Sequence, residues 1–382
     1  DERLAAHACG VISAILILVN DNGDVLWGHR YAGEGDWLTV DMFKPWPGTQ
    51  VREMPDGGFV LATVLKGRDA DCNPTCNGSA FAGVLVRTDA GGNPIFIKEY
   101  GAYGNEGKTR MAFTDLEIDG DYIVVMGTLS PDSACENNPN HEDTVLLITD
   151  FDGNVAASYA LPVVSPSAPC YDPTIVQDIE WGAGLASSGG IAYIAADFPF
   201  QLRCADGLDT RSCVFRFDWR AGNVDWAYAI SNVWVTYSSV RLASDGNLLI
   251  AGNDQGQENL IATAMKLDAA SGNPLWQWHY IDPRGVPQPL NNIEGLAQGA
   301  DPDRIWMVGT TAQHWGSTEL YLIGTDADGK ANCSHHEARI PMPRAEIAVR
   351  DPRIQVLRDL RDRRWEPKYD KPEPGVIDPC RR

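Results

Sequence analysis

Along residues 11–338 short apolar runs alternate with tight polar turns, and two kinds of segment take turns along the chain. The first kind is a strand, a turn carrying Asp, Gly or Asn, and a second strand that ends near an aromatic residue. Its members are ILILVNDNGDVLWGHRY (15–31), VLVRTDAGGNPIFIKEY (84–100), VLLITDFDGNVAASY (145–159), VFRFDWRAGNVDWAY (214–228), ATAMKLDAASGNPLWQWHY (262–280) and LYLIGTDADGKANCS (320–334). The second kind runs from strand through turn to a strand with a small-residue exit. It comprises VREMPDGGFVLATVL (51–65), LEIDGDYIVVMGTL (116–129), IEWGAGLASSGGIAYIAADF (179–198), VRLASDGNLLIAGND (240–254) and LAQGADPDRIWMVGTT (296–311).

Asp-Gly and Gly-Asn between apolar runs supply the positive φ that tight hairpin turns require. The β-branched and aromatic residues around them suit pleated, half-buried strands. Two hairpins in succession make a four-stranded antiparallel sheet. From Val51, Leu116, Ile179, Val240 and Leu296 the second-kind segments recur at offsets of 65, 63, 61 and 56 residues. That period indicates propeller blades. A solenoid rung is shorter, and a sandwich domain needs about 100 residues and Greek-key connections. The expected fold is an all-β propeller of about six four-stranded blades over residues 1–338, with an extended basic, Pro/Arg-rich tail over 339–382. Six segments of the first kind against five of the second make residues 15–31 an opening half-blade. Leu4 to Gly10, the tail or a strand of another molecule could complete it, and an unpaired sheet edge is an aggregation template.

Charge narrows the partners. The chain carries −21 overall, which argues against nucleic acid and anionic membranes. Residues 339–382 hold 12 Lys/Arg against 8 Asp/Glu, a net of +4, so the preceding body carries about −25. No apolar stretch approaches the roughly 18 residues a membrane helix needs. The start at Asp1 suggests a signal peptide removed upstream.

Nine cysteines suggest an oxidising, extracellular or cell-surface location. Disulfides are expected between Cys72 and Cys76, Cys204 and Cys213, Cys135 and Cys170, and Cys9 and Cys380, which leaves one cysteine over. The spacing of Cys72 and Cys76 also fits zinc, but no second ligand pair accompanies them. Asn77 and Asn332 head glycosylation sequons.

Asp56-Gly57-Gly58-Phe59-Val60-Leu61-Ala62-Thr63, and Leu267-Asp268 through Gly272-Asn273-Pro274-Leu275-Trp276, resemble the blades of secreted bacterial β-propeller proteins of the broad quinoprotein-like repeat class. The resemblance covers roughly residues 11–338 and implies architecture; the fold hosts enzymes, sugar binders and scaffolds alike. Quinone-dependent members need calcium ligands and a stacking tryptophan, and neither is assigned in this chain.

No catalytic motif appears, and no catalytic residue or metal ligand is assigned. Trp27, Trp226 and Trp276 come after equivalent turns and are read as blade packing rather than a sugar platform. Asp150, Asp152, Asp326 and Asp328 echo half a calcium loop but fall where every repeat turns, so calcium is at most a candidate and no cofactor is expected. Cys333, His335 and His336 offer metal-ligating side chains, but the adjacent His335 and His336 on a strand point to opposite faces, which argues against a metal there. The tail carries apolar anchors at Ile347, Val349, Ile354, Val356, Leu357 and Trp365. It could clasp its own body or drive assembly on a neighbouring subunit. The leading expectation is a non-catalytic structural protein of an extracellular fibre or surface array, homopolymeric through this tail. The alternative is a propeller that binds or acts on a carbohydrate or small molecule.

Overall fold

The computed structural model describes residues 14–20, 24–31, 37–38, 50–66, 81–102, 110–130, 141–161, 178–179, 181–203, 209–231, 235–254, 261–280, 291–299, 301–314, 317–331, 335–337 and 354–359. Among them are strands and turns but no helices. The fold class is the expected one, an all-β chain of β-propeller blades. The strands belong to two compact units, Asp1–Ala160 with Asp351–Lys371, and Leu161–Arg350 with Pro372–Arg382.

In the first unit β1 (Ala14–Val19) and β2 (Val25–Tyr31) form the opening hairpin. A short β3 (Trp37–Leu38) pairs with the end of the strand Phe59–Lys66 in the first full blade. That blade runs β4 (Gln50–Glu53), β5 (Phe59–Lys66), β6 (Phe81–Thr88) and β7 (Pro94–Ala102), each antiparallel to the last. The next comprises β8 (Arg110–Asp119), β9 (Tyr122–Ser130), β10 (His141–Asp150) and β11 (Val155–Leu161).

The second unit opens with the short β12 (Asp178–Ile179). Its first blade is β13 (Trp181–Ser188), β14 (Ile191–Arg203), β15 (Asp209–Asp218) and β16 (Asn223–Ser231). Its second is β17 (Val235–Leu242), β18 (Leu248–Asp254), β19 (Ile261–Leu267) and β20 (Pro274–Tyr280). The last blade has three strands among the described residues, β21 (Asn291–Gln298), β22 (Ile305–His314) and β23 (Ser317–Thr325). Two later strands join earlier blades instead. β24 (His335–Glu337) adds to the edge of β20, and β25 (Ile354–Asp359) to the edge of β7.

Middle strands of a blade are covered on both faces, which is why they read as continuous apolar runs. All seven residues of β18 are buried. Its even and odd positions serve different cores: Leu248 and Ile250 pack toward β13–β16 with Tyr193, Val214 and Trp226, while Leu249 and Ala251 pack toward β21–β23 with Ile293, Ile305 and Met307. In the first unit Val60, Leu85 and Tyr100 meet Met111, Phe113 and Val125 of the next blade. On the opposite face Leu61, Val84 and Val86 meet Leu16 and Tyr31 of the opening hairpin. Blades are therefore joined face to face through alternate residues of the same strands. Burying one such aliphatic side chain is worth about 1.5–3 kcal/mol.

A second device joins successive blades. The turn after the third strand carries a glycine with positive φ: Gly92 at 78°, Gly153 at 74°, Gly272 at 74° and Gly329 at 75°. Fourth-strand side chains of the preceding blade cap the carbonyls there. Tyr31, Tyr100 and Tyr280 donate their hydroxyls to the carbonyls of Gly92, Gly153 and Gly329 at 2.8, 2.7 and 2.8 Å. The residue two places earlier bonds the adjacent carbonyl: Lys98 Nζ to Asp152 O at 2.7 Å, and Trp278 Nε1 to Asp328 O at 2.7 Å. His29 Nε2 and Tyr228 Oη make the corresponding contacts to Gly91 O and Ser271 O, at 3.0 and 3.2 Å. Four unlike side chains thus do one job.

Candidate functional site

The first strand of a blade carries a recurrent irregularity. β8, β13, β17 and β21 each skip one residue against their second strands, at Thr114, Ala183, Ser238 and Glu294. A bulge of this kind leaves one residue outside the ladder and re-aims its neighbours. The Thr114 hydroxyl returns to Met126 O at 3.4 Å. That of Ser238 reaches Ala251 O and, on the next blade, Ile293 O.

Just past the bulge of β8 stand Asp115 and Glu117, two residues apart. Arg52 of β4 reaches both. Its Nη2 donates to Asp115 Oδ1 at 3.1 Å and to Glu117 Oε1 at 2.8 Å, while Nη1 donates to Val51 O at 2.8 Å. Asp115 is 3% exposed and also accepts the Leu116 amide at 2.9 Å. The side chains of Arg52 and Glu117 retain 21% and 19% exposure. Burial works against the Arg52 charge, but hydrogen bonds and attraction from Glu117 and Asp115 outweigh it, and the guanidinium pKa is raised. The cluster is a cation held between two carboxylates, formally net −1, with Arg52 and Glu117 partly exposed. Its planar donors and acceptors suit hydroxyl groups. Arg241 holds the Arg52 position in β17, with Nη1 bonding Val240 O at 2.7 Å and Leu185 O at 3.1 Å. A second polar pair lies within the β17–β20 blade, where Asp254 Oδ2 is 3.1 Å from His279 Nε2. Among the described residues no group of three or more His, Cys, Asp or Glu side chains is placed to hold a metal.

Of the residues singled out from sequence, Trp27, Trp226 and Trp276 lie in blade joints. Trp27 packs edge-on to Phe59 at 5.6 Å, Trp226 Nε1 bonds Ala269 O at 3.3 Å, and the Trp276 ring faces Gly329. The Asp150 carboxylate accepts the amides of Asp152 and Asn154, and Asp326 accepts that of Lys330, so these acids organise their own turns. Cys213 is buried in β15 opposite Ala196 and Ala229. Its expected partner Cys204 lies outside the described residues, as do Cys9, Cys72, Cys76, Cys135, Cys170, Cys333, Cys380, Asn77, Asn332, Ile347, Val349 and Trp365. Ile354, Val356 and Leu357 lie on β25, whose backbone pairs with β7 of the same chain. His335 and His336 lie on β24, opposite Tyr280 and His279. Sequence reasoning missed the Arg52 cluster. Its signal was a charge at one repeat position of otherwise apolar inner strands, in VRE (51–53), LEID (116–119) and VRL (240–242).

No family model matches the chain, and no curated protein matches it. Solved structures align along most of its length. One, described as showing that the GH130 family of mannoside phosphorylases contains glycoside hydrolases that target β-1,2 mannosidic linkages in Candida mannan, is 10% identical over 83% of this chain and 92% of its own, with a TM-score of 0.36. A putative glycoside hydrolase from Parabacteroides distasonis is 11% identical over 86% and 96%, with a TM-score of 0.37. A glycosyl hydrolase from Bacteroides ovatus is 11% identical over 90% and 95%, with a TM-score of 0.29. The expectation of a non-catalytic fibre or surface-array subunit is thereby corrected. These structures are described as carbohydrate-active enzymes and none as a filament or structural protein.

Proposed function

We propose that this chain is a carbohydrate-binding β-propeller protein that takes a neutral, polyhydroxylated ligand at Arg52, Asp115 and Glu117. The observation that carries the reading is the partial exposure of Glu117 and Arg52 inside a cluster whose geometry is already fixed. Neutral ligands are favoured because the cluster is net negative and the body of the chain carries about −25. A preorganised donor–acceptor set avoids the ordering cost of binding. The nine cysteines support an extracellular setting. The DGGF motif at 56–59 and the GNPLW segment at 272–276 support a kinship of the blades with the quinoprotein-like repeats in architecture, with no quinone role assigned.

The test is a glycan panel that includes β-1,2-linked mannosides, the linkage named for one of the similar structures. Full-length protein retains at least one neutral glycan, and Glu117→Gln weakens that binding about tenfold or more, as loss of a charge-assisted hydrogen bond does. Release of reducing ends in the same wells reports hydrolysis. A panel without any retained neutral glycan would overturn the reading, as would unchanged binding by the variant.

A further inference from the structure

The fourth strand of a blade ends its sheet, and its outer edge presents unpaired amide and carbonyl groups to any strand that can register with it. On β7 that edge is occupied by β25, antiparallel, from Ile354 opposite Ala102 to Asp359 opposite Lys98. The register is specific in charge. Beyond an irregularity at Leu357, Arg358 stands opposite Glu99 and Asp359 opposite Lys98. Slipping by one residue in one direction sets Asp359 against Glu99; slipping in the other sets Arg358 against Lys98. Each one-residue slip sets like charges opposite each other, which the observed register avoids. The receiving residues are themselves fixed. Glu99 is 8% exposed in the ladder with Val84, and Lys98 Nζ is anchored at Asp152 O. The device is used twice, since β24 covers the edge of β20.

We propose that the outer edge of β7 is a strand-acceptor surface that selects its strand by charge, and that its occupant is residues 354–359 of the same molecule. The partner it fits is an extended segment with apolar residues opposite Tyr100 and Ala102, then a base opposite Glu99 and an acid opposite Lys98. Occupancy seals an edge that would otherwise accept foreign strands. It also braces the strand whose Lys98 and Tyr100 hold the next blade.

Hydrogen–deuterium exchange on full-length protein tests this, read at amides 354–359 with β8–β10 as internal reference. Arg358→Glu and Asp359→Lys each place like charges across the ladder, and each speeds exchange over 354–359 by about fivefold, the upper range for a cross-strand pair. Adding Glu99→Arg to Arg358→Glu restores protection to within about twofold of wild type, since the pair is then re-formed in reverse. Unchanged exchange in both single variants overturns charge selection, as does a folded double variant without rescue. If the double variant does not fold, the single variants decide the matter, because both lie on the added strand. Protection over 354–359 that rises with protein concentration would place the occupant on a second molecule and overturn the same-chain assignment.

Discussion

The Tyr280 hydroxyl donates to the Gly329 carbonyl at 2.8 Å, across the step from one blade to the next. Burial, with Asp326 beside it, pushes the phenol pKa up, so Tyr280 remains a donor throughout the ordinary pH range. Tyr280→Phe leaves the buried Gly329 carbonyl without this partner and costs about 1–3 kcal/mol in urea unfolding. Tyr31→Phe and Tyr100→Phe, which remove the equivalent bonds, cost amounts in the same range. Stability within a few tenths of wild type in all three would show that the joint is incidental.

Two glycines with the same backbone sign separate packing from conformation. Gly329 has φ 75°, and an added Cβ would lie 2.7 Å from both Trp276 and Trp278. Gly246 has φ 81° and nothing within 4 Å. Gly246→Ala therefore carries only the left-handed penalty, about 1–2 kcal/mol. Gly329→Ala adds displacement of two indoles, about 1–3 kcal/mol more. Denaturation midpoints of the two variants check the ordering, and equal losses would contradict the described approach.

Acid weakens the turns. Hydrogen bonds from Asn93 hold Asp89 below the usual carboxylate pKa, and those from Ser271 do so for Asp268. For Asp150 burial pushes upward, but bonds from Asn154 and the Asp152 amide outweigh it, and the net shift is again downward. A carboxylate lowered on folding contributes stability that is fully present above its unfolded value, near 3.8, and lost as pH falls through the folded value. Urea midpoints are expected to stay level in this respect from pH 7 to about 5 and to fall below about 4. Asp150→Asn flattens that acid limb. A midpoint at pH 3 equal to that at pH 7 would contradict the assignment.

Much of the blade was legible because its causes are local. Asp-Gly and Gly-Asn turns between apolar runs specify hairpins, and the roughly 60-residue period specifies their pairing into sheets. The placement of Trp27, Trp226 and Trp276 in blade packing came from the same repetition. The joint was less visible, since His29, Lys98, Tyr228 and Trp278 share a position and a role but no chemistry. The Arg52 cluster was hidden for a different reason. Arg52 is 63 and 65 residues from its partners, and only a pairing of successive blades brings β4 to β8. The destination of the tail was equally non-local, because the charge pattern of 354–359 acquires meaning only against Lys98 and Glu99.

The binding claim is tested most directly by calorimetric titration of the best-retained neutral glycan into wild-type protein, Glu117→Gln and Arg52→Met, with thermal unfolding of each measured alongside. Saturable binding to wild type is expected, about tenfold or more weaker in a Glu117→Gln variant that still unfolds cooperatively, and none in a folded Arg52→Met. Equal dissociation constants for wild type and a folded variant of either residue would contradict it.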